Sequence, residues 1–507
     1  MRQYEMFELT LRGQEPGGSY AKADVRAKFI HESGEEKEVL GFYAGNNLYK
    51  VRFYPQKPGT YSWSVEGEVQ DKGEEVCLSC DERHHGIVKA VGHHFEYEDG
   101  TIYRPFGTTI YALSHQTREL METTYATLKN APFNKVRHCV FPKHYDFNNN
   151  DPQFFPFEKD GEGNWDVNRP CFAFWDHLEE SIFRLEEMGI ESDLILFHPY
   201  DCWGFAELNM EQCEVYLQYL VTRLSSIPSV WWSMANEYDL CAARKQEDWY
   251  RFEEVITTFD PYGHLLSNHN CLTLYDFSRE AVTHCCVQSV RMNMMGRWME
   301  KYDKPVINDE CCYEGNLDYN WGNLSGWEMV NRFWMACAQG GYATHGETFL
   351  DENDVLWWAK GGVLKGESPK RIAFLRRILE QLPGPIEPAE GMSLAKMAEL
   401  SPEARVQMGN NPFLKVFLEL SSTEKELFLE KQAVYRGCVG DEVFLEYFAD
   451  HCKAFGVMEL PEDQKYDVEV IDIWEMTRTK VLEEVSGHVK APLPGKPGIA
   501  VLAKKVK

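Results

Sequence analysis

The sequence has no long hydrophobic run. Across its 507 residues there is no apolar stretch of the roughly eighteen residues that a membrane-spanning helix needs. The opening segment, MRQYEMFELTLRG, lacks the apolar centre of a secretion signal, so a cytoplasmic protein is expected. Positive charge is scarce: 52 Lys and Arg stand against 80 Asp and Glu, a net charge of −28. Such a surface repels nucleic acid and anionic membranes, and neither is an expected partner. A disulfide framework is also unexpected. The fifteen cysteines are odd in number and include the adjacent pairs Cys285-Cys286 and Cys311-Cys312. Cys77 and Cys80 form a CxxC with no second pair at zinc-ribbon spacing. No GxSxG, HExxH, phosphate-binding loop or dinucleotide fingerprint occurs, which removes the main support for serine hydrolases of that type, metalloproteases and nucleotide enzymes. Neither a metal nor an organic cofactor is expected.

What is present divides in three. The length implies two to four domains. Residues 1–88 carry short β-period runs, MFELTL, DVRAKFIH, NLYKVRFYP and TYSWSVEG, separated by turn-rich links. In HFEYEDGTIYRPF, Asp99-Gly100 between alternating runs signals a hairpin. Strand and helix patterns then alternate to about residue 387, with candidate strands at 106–111, 134–141, 192–198, 229–235, 264–270, 282–288, 305–308 and 342–348. From residue 388 onward, PFLKVFLEL, EVFLEYF, KYDVEVIDIW and GIAVLA read as β-runs again. The expected fold is α/β: a (β/α)8 TIM barrel at 89–387, flanked by β-sandwich domains at 1–88 and 388–507.

Two strands carry the chemistry. SVWWSMANEYDL is an apolar run ending in Asn236-Glu237, and KPVINDECCYEG leads through Val306 and Ile307 into Asp309 and Glu310. Apolar runs without alternation suit strands covered on both faces, and the carboxyl ends of barrel strands open into the active site. Two glutamates so placed are what glycoside hydrolysis requires. Either one alone could instead be a structural ion-pair partner.

The segments RPFGTTIYAL, WWSMANEYD and KPVINDECCYEG resemble the clan of retaining (β/α)8 glycosidases, and within it the apiosidase-like catalytic domains. The resemblance implies Glu237 at the end of strand four as acid/base and Glu310 at the end of strand seven as nucleophile. It departs at Glu237, where apiosidase members carry Asp, so apiose does not follow as the substrate. Around the pair, Asn236 is placed to meet a sugar 2-hydroxyl and Tyr313 to hydrogen-bond the nucleophile. Arg137 either holds Glu310 ionised or forms a structural bridge. His198, His269 and His345 lie at strand ends, facing sugar hydroxyls or the core. Trp357 and Trp358 offer a stacking face. Glu314 and Glu347 are rival carboxylates. The expected partner is a carbohydrate, and self-association is left open. The expected activity is that of an exo-acting β-glycosidase on short oligosaccharides or plant glycosides. The alternative is a non-catalytic carbohydrate-binding protein on the same fold.

Overall fold

The computed structural model describes residues 1–350, 352, 355–389, 412–429 and 434–506. They form two compact units: Met1–Gln288 with Tyr302–Leu324 and Thr344–Gly366, and Ser289–Lys301 with Ser325–Ala343 and Glu367–Lys507.

In the first unit the N-terminal strands form an antiparallel sheet in the order Phe7–Arg12, Leu48–Phe53, Glu36–Tyr43, Val25–His31, Gly59–Gly67, Asp71–Cys77. Alternation decides which side is buried: Val25, Ala27 and Phe29 point inward while Arg26 is exposed. The strand Glu36–Tyr43 changes partner at Gly41, so the sheet folds over and Phe29 stacks on Phe53 at 4.0 Å. A Cβ at Gly41 would come within 2.6 Å of Val25 and 2.8 Å of the Lys50 carbonyl, so only glycine fits that fold. Sequence reading overlooked this strand because its first half alternates charged residues with no clear apolar period.

The sheet is joined to the barrel by buried charge. Arg52 grips Glu179 in helix Phe172–Glu186 with two bonds of 2.5 and 2.9 Å, and Arg223 in helix Met210–Leu224 donates to the same carboxylate at 2.6 Å. Burial alone would raise the Glu179 carboxyl, but Arg223 and Arg52 outweigh it and hold it at about 2.

The barrel strands, in chain order, are Gly107–Thr109, Lys135–Cys139, Glu191–Phe197, Val230–Ala235, Leu266–Ser267, Cys285–Gln288, Val306–Glu310 and Tyr342–His345. They form one eight-stranded sheet whose neighbours run parallel, ordered five-four-three-two-one-eight-seven-six. Strands five and six approach without a regular ladder. Thr283 N–H donates to the Leu266 carbonyl at 2.9 Å and Ser267 Oγ donates to the His284 carbonyl at 2.6 Å. Every residue of strands two, three, four and seven is buried, which is why these runs lack alternation. The hairpin around Gly100 packs Phe95 and Tyr103 on Trp231, near the amino end of strand four.

In the second unit, Glu387–Pro388, Tyr435–Val439, Val443–Tyr447, Ile499–Lys505, Tyr466–Asp472 and Thr477–Val485 form one sheet, in that order. The hairpin Phe455–Leu460 with Gly487–Pro492 packs on it through Met458, Leu460, Val489 and Ala491. One expectation is corrected: PFLKVFLEL is not a strand but the helix Pro412–Glu419. Phe413 and Phe417 are four residues apart and stack at 6.3 Å, a contact that only the helical period allows. Pro412 suits a first helical position.

Candidate active site

Strand four ends at Ala235, and the next two residues turn sharply. Glu237 takes the left-handed backbone conformation, φ 55° and ψ 57°. For a side chain of this size that costs about 1–3 kcal/mol, and such strain collects at functional sites. The turn is held from the segment just after strand five, where the Glu237 N–H donates to His269 Nδ1 at 3.3 Å and the Tyr238 N–H to the His269 carbonyl at 2.9 Å. The Glu237 carboxylate accepts from Gln288 Nε2 at 3.2 Å, from Asn236 Nδ2 at 3.3 Å and from the Tyr200 hydroxyl.

Glu310 is the last residue of strand seven. Strand pairing slips there: Val287 lies opposite Asn308, but Gln288 lies opposite Glu310. A bulge re-aims side chains, and here it allows the successive residues Asp309 and Glu310 both to meet Arg137. Asp309 joins a paired layer within the barrel. Lys135 Nζ lies 2.7 Å from both Asp309 and Asp193, and Thr344 Oγ1 donates to Asp309 at 2.6 Å. Burial opposes its ionisation, but Lys135 and Arg137 outweigh that and hold Asp309 below the usual carboxylate range.

Glu310 is less well served. Its Oε1 accepts from Arg137 Nη1 at 3.4 Å and from the Tyr111 hydroxyl, and His269 Nε2 lies 4.0 Å away. Burial pushes the carboxyl up to about 8, and the neighbouring Tyr313 hydroxyl opposes this only in part. Asn236 bridges the two carboxyls. Its Oδ1 faces the Tyr111 hydroxyl at 2.9 Å and Arg137 Nη2 at 3.4 Å while its amide reaches Glu237. Burial, then Arg137, keep His269 neutral by holding its pKa far below the usual value.

Aromatic rings wall this pair. Trp358 packs against Trp321 at 5.0 Å, Tyr145 at 5.2 Å and both Tyr111 and Tyr313 at 5.5 Å. The Lys143 ammonium sits 3.3 Å above the Tyr111 ring and 4.3 Å from that of Tyr200. Burial draws its pKa down to about 8.

The contacts therefore gather Arg137, Asn236, Glu237, His269 and Glu310, with Tyr313 and Trp358 alongside. Three other candidates are engaged elsewhere. Trp357 is buried and donates its indole N–H to Thr108 Oγ1 at 2.8 Å. His198 Nε2 bonds the Phe141 carbonyl at 3.1 Å, and His345 Nδ1 lies 3.1 Å from Thr108 Oγ1. Of the rival carboxylates, Glu347 accepts the N–H groups of Lys365 and Gly366 at 2.8 and 2.9 Å. Sequence reasoning missed Tyr111, Lys143, Tyr200 and Gln288. Tyr111 and Gln288 end the predicted strands one and six and Tyr200 follows strand three, so a search for polar residues at strand ends would have found all three. Lys143 follows strand two at the same offset as Tyr200 follows strand three, so the same search would have found it.

The apiosidase-like catalytic domain family matches residues 89–383. Two domains of unknown function match on either side, DUF5060 over residues 1–68 and DUF5605 over residues 432–504. A solved structure from Bacteroides vulgatus ATCC 8482, provisionally assigned as a glycoside hydrolase, is 33% identical with a TM-score of 0.84, covering 100% of this chain and 99% of its own. A glycoside hydrolase family 5 structure from the same organism is 15% identical, with a TM-score of 0.59 over 83% of this chain and 93% of its own, and so shares the fold. No curated protein matches.

Proposed function

The chain belongs to the apiosidase-like catalytic domain family and is a glycoside hydrolase, and from that premise we propose a retaining, exo-acting β-glycosidase of short oligosaccharides or plant glycosides. Glu310 is the nucleophile and Glu237 the acid/base. The observation that carries this is the pair itself: two buried carboxyls at the ends of strands four and seven, bridged by Asn236 and Tyr111. In a retaining enzyme the two lie about 5–5.5 Å apart, close enough for direct attack.

In this mechanism ionised Glu310 attacks the anomeric carbon, and Arg137 and Tyr111 stabilise the carboxylate that attacks and later leaves. Glu237 passes a proton to the departing oxygen, then removes one from the water that hydrolyses the glycosyl-enzyme. Asn236, held by Tyr111, Arg137 and Glu237, lies between the two carboxyls, where its amide meets the 2-hydroxyl of a bound sugar. The division at residues 88 and 387 and a cytoplasmic setting belong to the same proposal, since short glycosides rather than polymers are available there.

One observation favours the reverse assignment: burial raises Glu310, and a raised carboxyl is the usual mark of a general acid. A panel of nitrophenyl glycosides and plant oligosaccharides separates the readings, with NMR of the first-formed anomer. Glu237→Gln should spare activated nitrophenyl substrates and Glu310→Gln should not. An inverted product, or the opposite pattern, sinks the assignment. A parent with no turnover on any of these substrates favours a binding protein.

A further inference from the structure

Beyond strand eight the chain forms a two-residue strand, Glu347–Thr348, which pairs in parallel with Glu314–Gly315 after strand seven. The pairing sets Glu314 opposite Glu347, and His345 lies beside them. All three are buried, and one donor atom from each lies within 4.8 Å of the others.

Two buried carboxylates alone make no site, but His345 adds an independent sign. Its Nε2 is wholly buried, has no hydrogen-bond partner and lies 3.7 Å from Glu347 Oε1. The far side of the ring is fixed, with Nδ1 3.1 Å from Thr108 Oγ1, itself held by the Trp357 indole N–H. With the proton on Nδ1 and donated to Thr108, Nε2 offers its lone pair toward the carboxylates. A metal-ligating histidine donates its other ring N–H to an outer acceptor, and Thr108 Oγ1 is placed to be that acceptor. The Lys365 and Gly366 N–H groups orient the Glu347 carboxylate in the same way. Metal bonds to His N and carboxylate O run about 2.0–2.2 Å, which puts neighbouring ligand atoms roughly 3–4 Å apart. The His345–Glu347 separation falls in that range.

We propose that Glu314, His345 and Glu347 bind one first-row divalent cation of the manganese-to-zinc class. One imidazole and two carboxylates, without thiolate, suit that class better than soft copper(I) or an all-oxygen calcium site. The ion neutralises the carboxylates and ties the segments after strands seven and eight together. Tyr313, which packs beside the nucleophile, precedes Glu314 directly, so the ion also indexes the active-site wall. Sequence analysis gave no hint of this, because Glu314 precedes His345 and Glu347 by about thirty residues and meets them only through strand pairing.

The full chain is stripped with chelator, incubated with Zn2+ or Mn2+, desalted and assayed for metal by mass spectrometry, with affinities from calorimetry. About one equivalent of one metal is expected. Glu314→Gln and Glu347→Gln should abolish stoichiometric binding, and Thr108→Val should weaken it about 10–100-fold, as loss of outer support does elsewhere. Near-ultraviolet circular dichroism confirms that each variant folds. Less than a tenth of an equivalent of either metal in the parent overturns the proposal. So does binding that survives both glutamine variants but is lost in Asp81→Asn, which would assign the metal to the half-exposed group Glu5, Asp81 and His84. Sugar turnover is not the readout, so this test and that of the hydrolase reading can fail separately.

Discussion

Glu179 and Glu310 are both buried glutamates facing arginine, yet their carboxyls sit at about 2 and about 8. At Glu179, where the N-terminal sheet meets the barrel, two guanidiniums close to between 2.5 and 2.9 Å and share the charge. At Glu310 one guanidinium stands off at 3.4 Å, and its partners are hydroxyls and a neutral histidine. The same desolvation is thus overcome in one place and left standing in the other. A junction gains from complete pairing. On the proposed assignment Glu310 is the nucleophile, and its incomplete pairing leaves it available to attack.

The sharpest way to break this comparison is to remove each carboxylate. Glu310→Gln should cut turnover on the order of 10⁴-fold or more while leaving the fold intact. Glu179→Gln should instead cost about 3–5 kcal/mol of stability by stranding two buried arginines, read by denaturant unfolding. Glu237→Gln should lower turnover of unactivated glycosides about 10²–10⁴-fold and spare nitrophenyl substrates.

Acid and base should act on the two glutamates in opposite directions. The folded-state pKa of Glu179 is depressed, so its stabilisation is present above the ordinary value near 4.5 and is lost as pH falls toward 2. That of Glu310 is raised, so its protonated form stabilises below 4.5 and the benefit is lost as pH rises through about 8. Glu310→Gln should therefore be more stable than the parent at pH 9 relative to pH 6, by thermal unfolding. If Glu310 is the nucleophile as proposed, the acidic limb of kcat/KM should lie well above the usual carboxylate range, since attack needs the ionised form. The smallest expected effect is that of Tyr200→Phe. It removes a hydrogen bond to Glu237 worth about 1.5–3 kcal/mol, seen as a kcat loss. A Tyr200→Phe enzyme with unchanged kcat would show that this hydroxyl does not support the proposed acid/base.

The sequence by itself determined which two glutamates could bear the chemistry and which strands carry them. WWSMANE and PVINDE are apolar because both faces of their strands are buried, and a glutamate ending such a run has only the barrel mouth to enter. The strands of the N-terminal sheet with clear alternation were legible too. Only the tertiary structure decided the rest. Local pattern could not separate strand from helix at PFLKVFLEL, because a short apolar run suits both and the stacking of Phe413 on Phe417 settles it. Nor could it tell Trp358, which packs among the site's rings, from Trp357, which faces Thr108. Asp309 and Glu310 are neighbours in sequence, but one bulge and two cations on strand two shift their carboxyls in opposite directions, Asp309 down and Glu310 up. A residue type sets which proton can move; its pKa depends on the charges and desolvation around it, and these come from segments tens or hundreds of residues away that only the closed barrel brings together.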